Sequence, residues 1–482
     1  MGRKFSHYAV ALLAIMPVSF AVAGEKPIVG PQIRIDIGGG TAAANETTCS
    51  LSKLDPNVAI AGWNDYRDPS FILAAFSTTF DGGKTWSDFI LRPPAQFQSA
   101  IEGDPFTAFD DRTGTLWAGA ISFGNNGGLY VARLDPGETQ LNTPVMADID
   151  GDVDKAWMVT GPTPDDLETT RLYITYNFGV IQSNNMGDSW TDPVSLGFGI
   201  GFLPRIGPGG EVYVAYWDLG TGMMLKRSLN GGASFVTRTI ATRMDVWPVQ
   251  DGSRFPGQFR VPANCYLDVD DNTGVLYAVY FDTTNIVFGN ANVDLYFTKS
   301  EDRGDTWTTP IVINQDAAIP GDQFFPWIEV DEEGRLHIVY IDSRNTVQDD
   351  DVLHGMFDVY YIFSEDGGDN WLEFRLTPKP WDSALAGNGT FIGDYLGLAA
   401  GGNRIYPIYL DTHNGDGDIY TNVIIIPVFA DLDGNGTVDI NDLLILLANW
   451  GPCADCNDCP ADLNDDCSVS TADLLLLFSN WG

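Results

Sequence analysis

The chain has 482 residues, 44% of them apolar, with 65 acidic against 26 basic side chains and a formal net charge of −39. Such an excess of acid leaves little to neutralise phosphates, so nucleic acid is excluded as a partner. It suits a soluble exported protein, and the length allows one large all-β domain followed by a small one.

Residues 1–23 read as a signal peptide. Arg3 and Lys4 precede an apolar run from Ala9 to Ala23, broken by Pro17, and Ala21-Val22-Ala23 has the small-x-small form of a peptidase site. Cleavage near Gly24 and export are expected, to the medium or to a bacterial cell surface. The run is too short for a membrane span, and no later apolar stretch reaches spanning length.

From Asn45 the chain repeats. One unit runs FPWIEVDEEG, RLHIVYID, DVYYIFSEDGG, NWLEFRLT over 325–376. Its short β-branched and aromatic segments, separated by Gly, Asp and Asn, predict four antiparallel strands, the size of a propeller blade. Six more units begin near Asn45, Asp104, Asp154, Phe202, Asn264 and Ile392. The last supplies only three strands, ending at DIYTNVIIIP, and QIRIDIG (32–38) is expected to add the fourth and close the ring. The expected fold is all-β, a six- or seven-bladed β-propeller over 24–427 with seven favoured, then a small helical calcium domain over 428–482.

Between the third and fourth strands lies a recurring turn: TFDGGKTW from Thr79, SNNMGDSW from Ser183, SLNGGASF from Ser228, SEDRGDTW from Ser300 and SEDGGDNW from Ser364. Asp or Asn bonds the backbone two residues on, glycine supplies positive φ, and Trp or Phe packs inward. Each turn offers too few oxygens for a metal. The motif matches the Asp-box, or bacterial neuraminidase repeat, and residues 32–427 resemble sialidase-like propellers. That resemblance implies structural boxes on one face and function on the other.

The opposite face would carry the loops WNDYR, YWDLG, YFDTTN, YIDSRN and YLDTHN, with Asp65, Asp218, Asp282, Asp342 and Asp411. Glu46, Asp104, Asp154, Lys155 and Asp394, at the starts of innermost strands, should open on the same mouth. The resemblance further implies an exo-acting glycoside hydrolase with three arginines on a substrate carboxylate, a Tyr–Glu nucleophile and an Asp acid/base. The candidate catalytic residues are Arg67, Arg344, Asp65, Asp104, Asp342 and Asp394; Arg205, Arg254 and Arg260 are further arginines. The family's Arg-Ile-Pro signature is absent, IRIDIG standing in its place, and no Tyr–Glu pair is assigned. A carbohydrate or glycoconjugate ligand is expected. A non-catalytic carbohydrate- or protein-binding propeller and a structural surface protein are the alternatives. The loop DTHNGDGDIY (411–420) is either a polar hairpin or a further calcium loop through Asp411, Asn414, Asp416 and Asp418.

After Pro427 helical periodicity appears. Leu443, Leu446, Leu447 and Trp450 share one helix face, and Leu474, Leu477, Phe478 and Trp481 repeat it. Before each helix stands an EF-type loop for Ca2+. The first, DLDGNGTVDIND, offers Asp431, Asp433, Asn435, Thr437, Asp439 and Asp442, with Gly436 at the turn position. The second, DLNDDCSVSTAD, offers Asp462, Asn464, Asp466, Ser468, Ser470 and Asp473, with Cys467 where glycine is usual. Cys453, Cys456, Cys459 and Cys467 are expected to form two disulfides, with three pairings open. The duplicated loop-helix resembles a type I dockerin, which implies a cohesin-type partner and an anchoring role.

Overall fold

The computed structural model describes residues 26–481 except 95–100, 124–126, 149–151, 244–259, 288–289, 317–320, 346–354, 388, 390, 435 and 457–458. The signal segment, Arg254 and Asn435 lie outside the described residues.

Seven antiparallel sheets follow one another as the blades of a seven-bladed propeller. Their innermost strands are Ala44–Ser52, Phe106–Asp110, Trp157–Thr163, Ile200–Ile206, Cys265–Val269, Gln323–Val330 and Gly397–Gly401, for blades 1 to 7 in order. In blades 1, 2, 4, 5 and 6 three further strands step outward in chain order. Blade 3 has three strands, and its fourth is reduced to a bridge between Val180 and Val194.

Blade 7 is completed from the other end of the chain. Strand Ile28–Arg34 pairs antiparallel with Asp418–Ile425, with Ile33 opposite Thr421 and Arg34 opposite Tyr420. The closing strand therefore starts earlier than QIRIDIG and stops at Arg34, because Ile37–Gly39 turn into a 3-10 helix that leads to blade 1. This clasp ties the first and last blades together.

Middle strands are buried from end to end, as in Leu336–Asp342 and Thr115–Ser122. Neighbouring blades cover both of their faces, so they carry runs of apolar residues rather than alternation. Outer strands such as Val236–Thr242 and Leu372–Arg375 remain largely in water.

The recurrent glycine turns lock blade to blade. Asp366 accepts from Asn370 N at 2.8 Å and Asn370 Nδ2 at 2.7 Å, and Ser364 Oγ accepts from Gly368 N at 2.9 Å. Asp81 and Asp302 make the same set with Thr85 and Thr306. These local bonds outweigh burial and hold Asp81 and Asp366 below the usual carboxylate range. The second glycine has positive φ and no room for a side chain. A Cβ on Gly368 would meet Phe297 of blade 5 at 2.5 Å, and one on Gly83 would meet Val423 of blade 7 at 2.4 Å. Trp371 stacks edge-on against Phe297, and Trp86 against Tyr406. Each turn thus seats on the blade before it.

Two helices, α1 (Ile440–Ala448) and α2 (Thr471–Ser479), lie at the C-terminus. Leu446 and Leu477 are fully buried with Val438, Val469, Ala430 and Ala461. The predicted helix face divides: Leu443 and Leu474 pack on this small core, whereas Leu447, Trp450, Phe478 and Trp481 are exposed. Helices of nine residues over so small a core bury only a narrow stripe. Cys453 bonds Cys459 and Cys456 bonds Cys467, one of the three pairings left open. No helix among the described residues is long and apolar enough to cross a membrane.

Candidate functional site

Strand direction divides the propeller into two faces. The starts of the innermost strands and the second-to-third loops share one face, here the mouth. The first-to-second and third-to-fourth turns share the other.

At the mouth the inner strands begin with left-handed backbone. Glu46 (φ +54°), Asp104 (+41°), Lys155 (+50°) and Phe325 (+51°) adopt it without being glycine, and Gly201 and Gly393 adopt it in blades 4 and 7. In blades 1, 4 and 6 the residue sits in a bulge of the inner strand. Left-handed backbone costs a non-glycine residue about 1–2 kcal/mol, and such strain concentrates at functional sites. Here it turns Glu46, Asp104 and Lys155 toward one another near the axis.

The cluster is tied across blades. Asn64 donates to Glu46 at 2.5 Å and accepts from Asp104 N at 2.8 Å. Asp104 accepts from Lys155 N at 2.9 Å. Lys155 Nζ reaches Asp394 of blade 7 at 2.5 Å. Arg260 grips the same Asp394 with two bonds, Nε to Oδ1 at 2.8 Å and Nη2 to Oδ2 at 2.6 Å. Asp154, Lys155, Arg260 and Asp394 line a cavity of about 500 Å³. Beneath lie the packed rings of Trp157, Tyr395, Trp327 and Tyr266, with Trp157 and Tyr395 centroids 4.6 Å apart.

Crowded carboxyls at low dielectric resist ionising together. Burial, then repulsion from Asp104 and Asp394, pushes Glu46 well above the usual range, with Lys155 opposing. Asp154 is pushed up to about 6, first by burial and then by repulsion from Asp104, although the residue is exposed at the rim. Burial disfavours the Lys155 ammonium, but Asp394, Glu46, Asp104 and Asp154 outweigh it and raise its pKa. The site therefore holds protonatable acids beside two cations, a set suited to giving and taking protons.

Of the candidate residues, the structure brings Asp104 and Asp394 together with Glu46, Asp154 and Lys155. It places the other four within their own blades. Arg67 binds Asp65 through Nε and Nη2 at 2.8 and 2.7 Å and also reaches Asp88 on the outer strand. Arg344 is held by Asp342 and Glu373 and lies over the Tyr360 ring at 4.2 Å. Neither arginine lines the mouth cavity. Asp65, Asp342 and Asp411 are buried and accept the backbone N–H two residues on, from Arg67, Arg344 and His413. Asp218 caps its turn through Gly220 and Thr221, and Asp282 accepts from Thr283 N. Four of the recurring aspartates thus cap loops at strand ends, whereas Asp282 lies within the strand Leu276–Val287, opposite Asp294. Asp411 is further engaged by Gln32, and Asp418 by Arg34 at 2.6 Å, so DTHNGDGDIY forms a polar hairpin.

Arg205 lies under the aromatic layer, paired with Asp268 and Glu329. No sequence motif marks Arg260, which precedes the inner strand of blade 5. A Tyr–Glu pair does exist, Tyr340 Oη donating to Glu373 at 2.5 Å, but Tyr340 is fully buried in blade 6, away from the mouth cavity.

In the C-terminal module, carboxylate oxygens of Asp431, Asp433 and Asp442 lie within 4.8 Å of one another. Gly436 turns the loop at φ +96°, and Asp442 accepts from Leu432, Asp433 and Asp439 N–H groups. Asp439 caps α1 through Asn441 N. Three converging carboxylates on such a loop fit a hard divalent cation; Thr437 stands one residue past the turn. In the second loop Asp473 accepts from Leu463, Asn464 and Ser470 N–H groups and Asp462 from Cys467 N. Asn464 donates to Asp466, Ser470 caps α2 and Ser468 pairs with Pro452. Cys467 takes the glycine position at φ +68°.

The sequence matches no family model and no curated protein. Among solved structures it is similar to a protein of unknown function from Dyadobacter fermentans DSM 18053, with 14% identity and a TM-score of 0.45 over 84% of this chain and 100% of that one. The intramolecular trans-sialidase from Ruminococcus gnavus has 14% identity and a TM-score of 0.39, over 80% and 96%. A family PL25 ulvan lyase has 11% identity and a TM-score of 0.42, over 66% and 79%.

Proposed function

We propose that the protein is an exported, carbohydrate-active propeller whose mouth performs acid–base chemistry on a glycan. The observation that carries this reading is the 500 Å³ mouth cavity, which two carboxyls, Asp154 at its rim and Asp394, line together with Lys155 and Arg260; burial and neighbouring Asp104 push Asp154 up to about 6. Glycoside cleavage needs one carboxylic acid that keeps its proton near neutrality and a second carboxylate across the scissile bond. Asp154 is the proton donor in this scheme. Asp394, fixed by Arg260 and Lys155, is the opposing group, and Glu46 exchanges protons behind them.

The sialidase-type reading calls for three arginines on a substrate carboxylate. Arg67 and Arg344 are committed within their blades and Arg260 to Asp394, which favours a neutral glycan over an acidic one. A non-catalytic glycan-binding propeller is the second reading, favoured by the internal pairing of Lys155 and Arg260.

Turnover of a panel of neutral and acidic oligosaccharides tests the scheme. With Asp154 as acid, activity should fall as pH rises past about 6. Asp154→Asn should lower kcat by about 10²–10⁴-fold and remove that limb of the pH profile. Wild-type kcat in Asp154→Asn would sink the acid assignment; glycan binding without turnover would select the binding propeller.

The C-terminal segment is read as a dockerin-like calcium module that anchors the propeller, with the glycine turns as Asp-boxes and residues 1–23 as the export signal. The two disulfides suit an oxidising compartment. Leu444, Leu447, Trp450, Leu475, Phe478 and Trp481 offer a cohesin-type partner an exposed apolar surface. Calcium should raise the melting temperature of the module, and Asp431→Ala should abolish that rise. Equal melting of wild type in calcium and in chelator would remove the calcium assignment.

A further inference from the structure

Below the aromatic layer the central channel opens again. On the face opposite the mouth it widens to a cavity of about 640 Å³, walled by the inner strands of all seven blades. That size falls within the range of small-molecule sites, about 300–1,000 Å³.

Trp157 and Trp327, with centroids 5.1 Å apart, roof the cavity. Arg205 lies 5.9 Å from the Trp327 ring and bonds Asp268 at 2.7 Å and Glu329 at 3.0 Å. Nearer the rim, Lys53 faces Asp271 at 3.4 Å. One buried polar atom of the lining finds no protein partner, Nε1 of Trp157 on the roof. Buried polar atoms are rarely left so, and one at a cavity wall is open to a partner that enters it.

We propose that this lower cavity is a second ligand site, taking a neutral polyhydroxylated ligand of sugar-ring size. The wall carries both signs: an anion would meet Asp111, Glu168, Asp268, Asp271 and Glu329, and a cation would meet Lys53, Arg112 and Arg205. A hydroxyl donates and accepts at once and matches both. The indole roof supplies the apolar face against which the C–H side of a sugar ring packs. The aromatic layer separates this site from the mouth, so it stands whether or not the mouth is catalytic.

Saturation-transfer NMR and titration calorimetry on the full chain test it, with glucose, galactose and mannose as neutral probes, glucuronate as the anion and glucosamine as the cation. Saturable binding of a neutral hexose is expected. It should be unchanged in Asp154→Asn and weakened about tenfold or more in Glu329→Gln and Asp271→Asn. Asp271 is half exposed, so that variant folds and reports even if Glu329→Gln does not. Equal binding of the matching trisaccharide would assign a glycan end to the cavity; binding of the hexose alone would assign a free sugar. The proposal is overturned by no saturable hexose binding, by tighter binding of glucuronate or glucosamine, or by loss of binding in Asp154→Asn with Asp271→Asn unaffected.

Discussion

Deleting Ile28–Arg34 should abolish cooperative folding of the propeller. The strand supplies a ladder of backbone bonds to Asp418–Ile425, and two side-chain ties strengthen it. Arg34 pairs with Asp418 at 2.6 Å and with Asp36 at 2.7 Å, and Gln32 donates to Asp411 at 2.8 Å. Asp36, Asp411 and Asp418 are all fully buried, so the deletion takes the Arg34 cation from Asp36 and Asp418 and the Gln32 amide from Asp411. A net hydrogen bond contributes about 1 kcal/mol, and a typical domain is stable by only 5–15 kcal/mol. The deletion also uncovers the edge of 418–425, a template for aggregation. Far-UV circular dichroism during heating, with gel filtration, should give a broad, early transition and large species. A sharp transition at the wild-type temperature would mean that the ring closes without its clasp.

Asp394→Ala should destabilise the chain by about 3–5 kcal/mol, the penalty for leaving buried charge unpaired. Asp394 is 1% exposed and is the shared partner of Lys155 and Arg260. Lys155 would then stand largely buried with its closest ion pair gone, left to the weaker attraction of Glu46, Asp104 and Asp154, of which Glu46 and Asp154 are themselves pushed up. Asp394→Asn keeps an acceptor for one cation and should cost less. Arg260→Ala should cost least, since that side chain is half exposed and its pairing is screened. Urea unfolding gives the ranking. A loss under about 1 kcal/mol in Asp394→Ala would show that the cluster relaxes into water rather than holding charge.

The repeat makes the blades legible in the sequence. Turn chemistry and strand length recur because each blade solves the same packing problem, and a last unit one strand short implies closure from the N-terminus. The same logic misleads at the mouth. Asp65, Asp218, Asp342 and Asp411 recur because in four blades the loop after the second strand is capped by a carboxylate, and Asp282 holds the equivalent position within a longer strand. Repetition there marks a shared structural need. The converging residues differ in type from blade to blade: Glu46, Asp104, Lys155, Gly201, Phe325 and Gly393 hold one left-handed position. A position that keeps its backbone and varies its chemistry leaves no motif. Arg260, outside the repeat, can be found only by its grip on Asp394.

The C-terminal module meets the propeller on the face away from the mouth. A Cβ on Gly436 would lie 2.5 Å from Asn403, in the turn between the first two strands of blade 7. Residues 418–425, which lead into the module, are clamped between 404–411 and 28–34. If the module is the anchor, tension on a tethered molecule enters along this strand and parallel to its axis. The ladders on both sides are then loaded in shear, all their bonds sharing the pull, instead of opening one at a time like a zip. Chain closure thereby gives the propeller a mechanical strut at the point where a tether would draw on it.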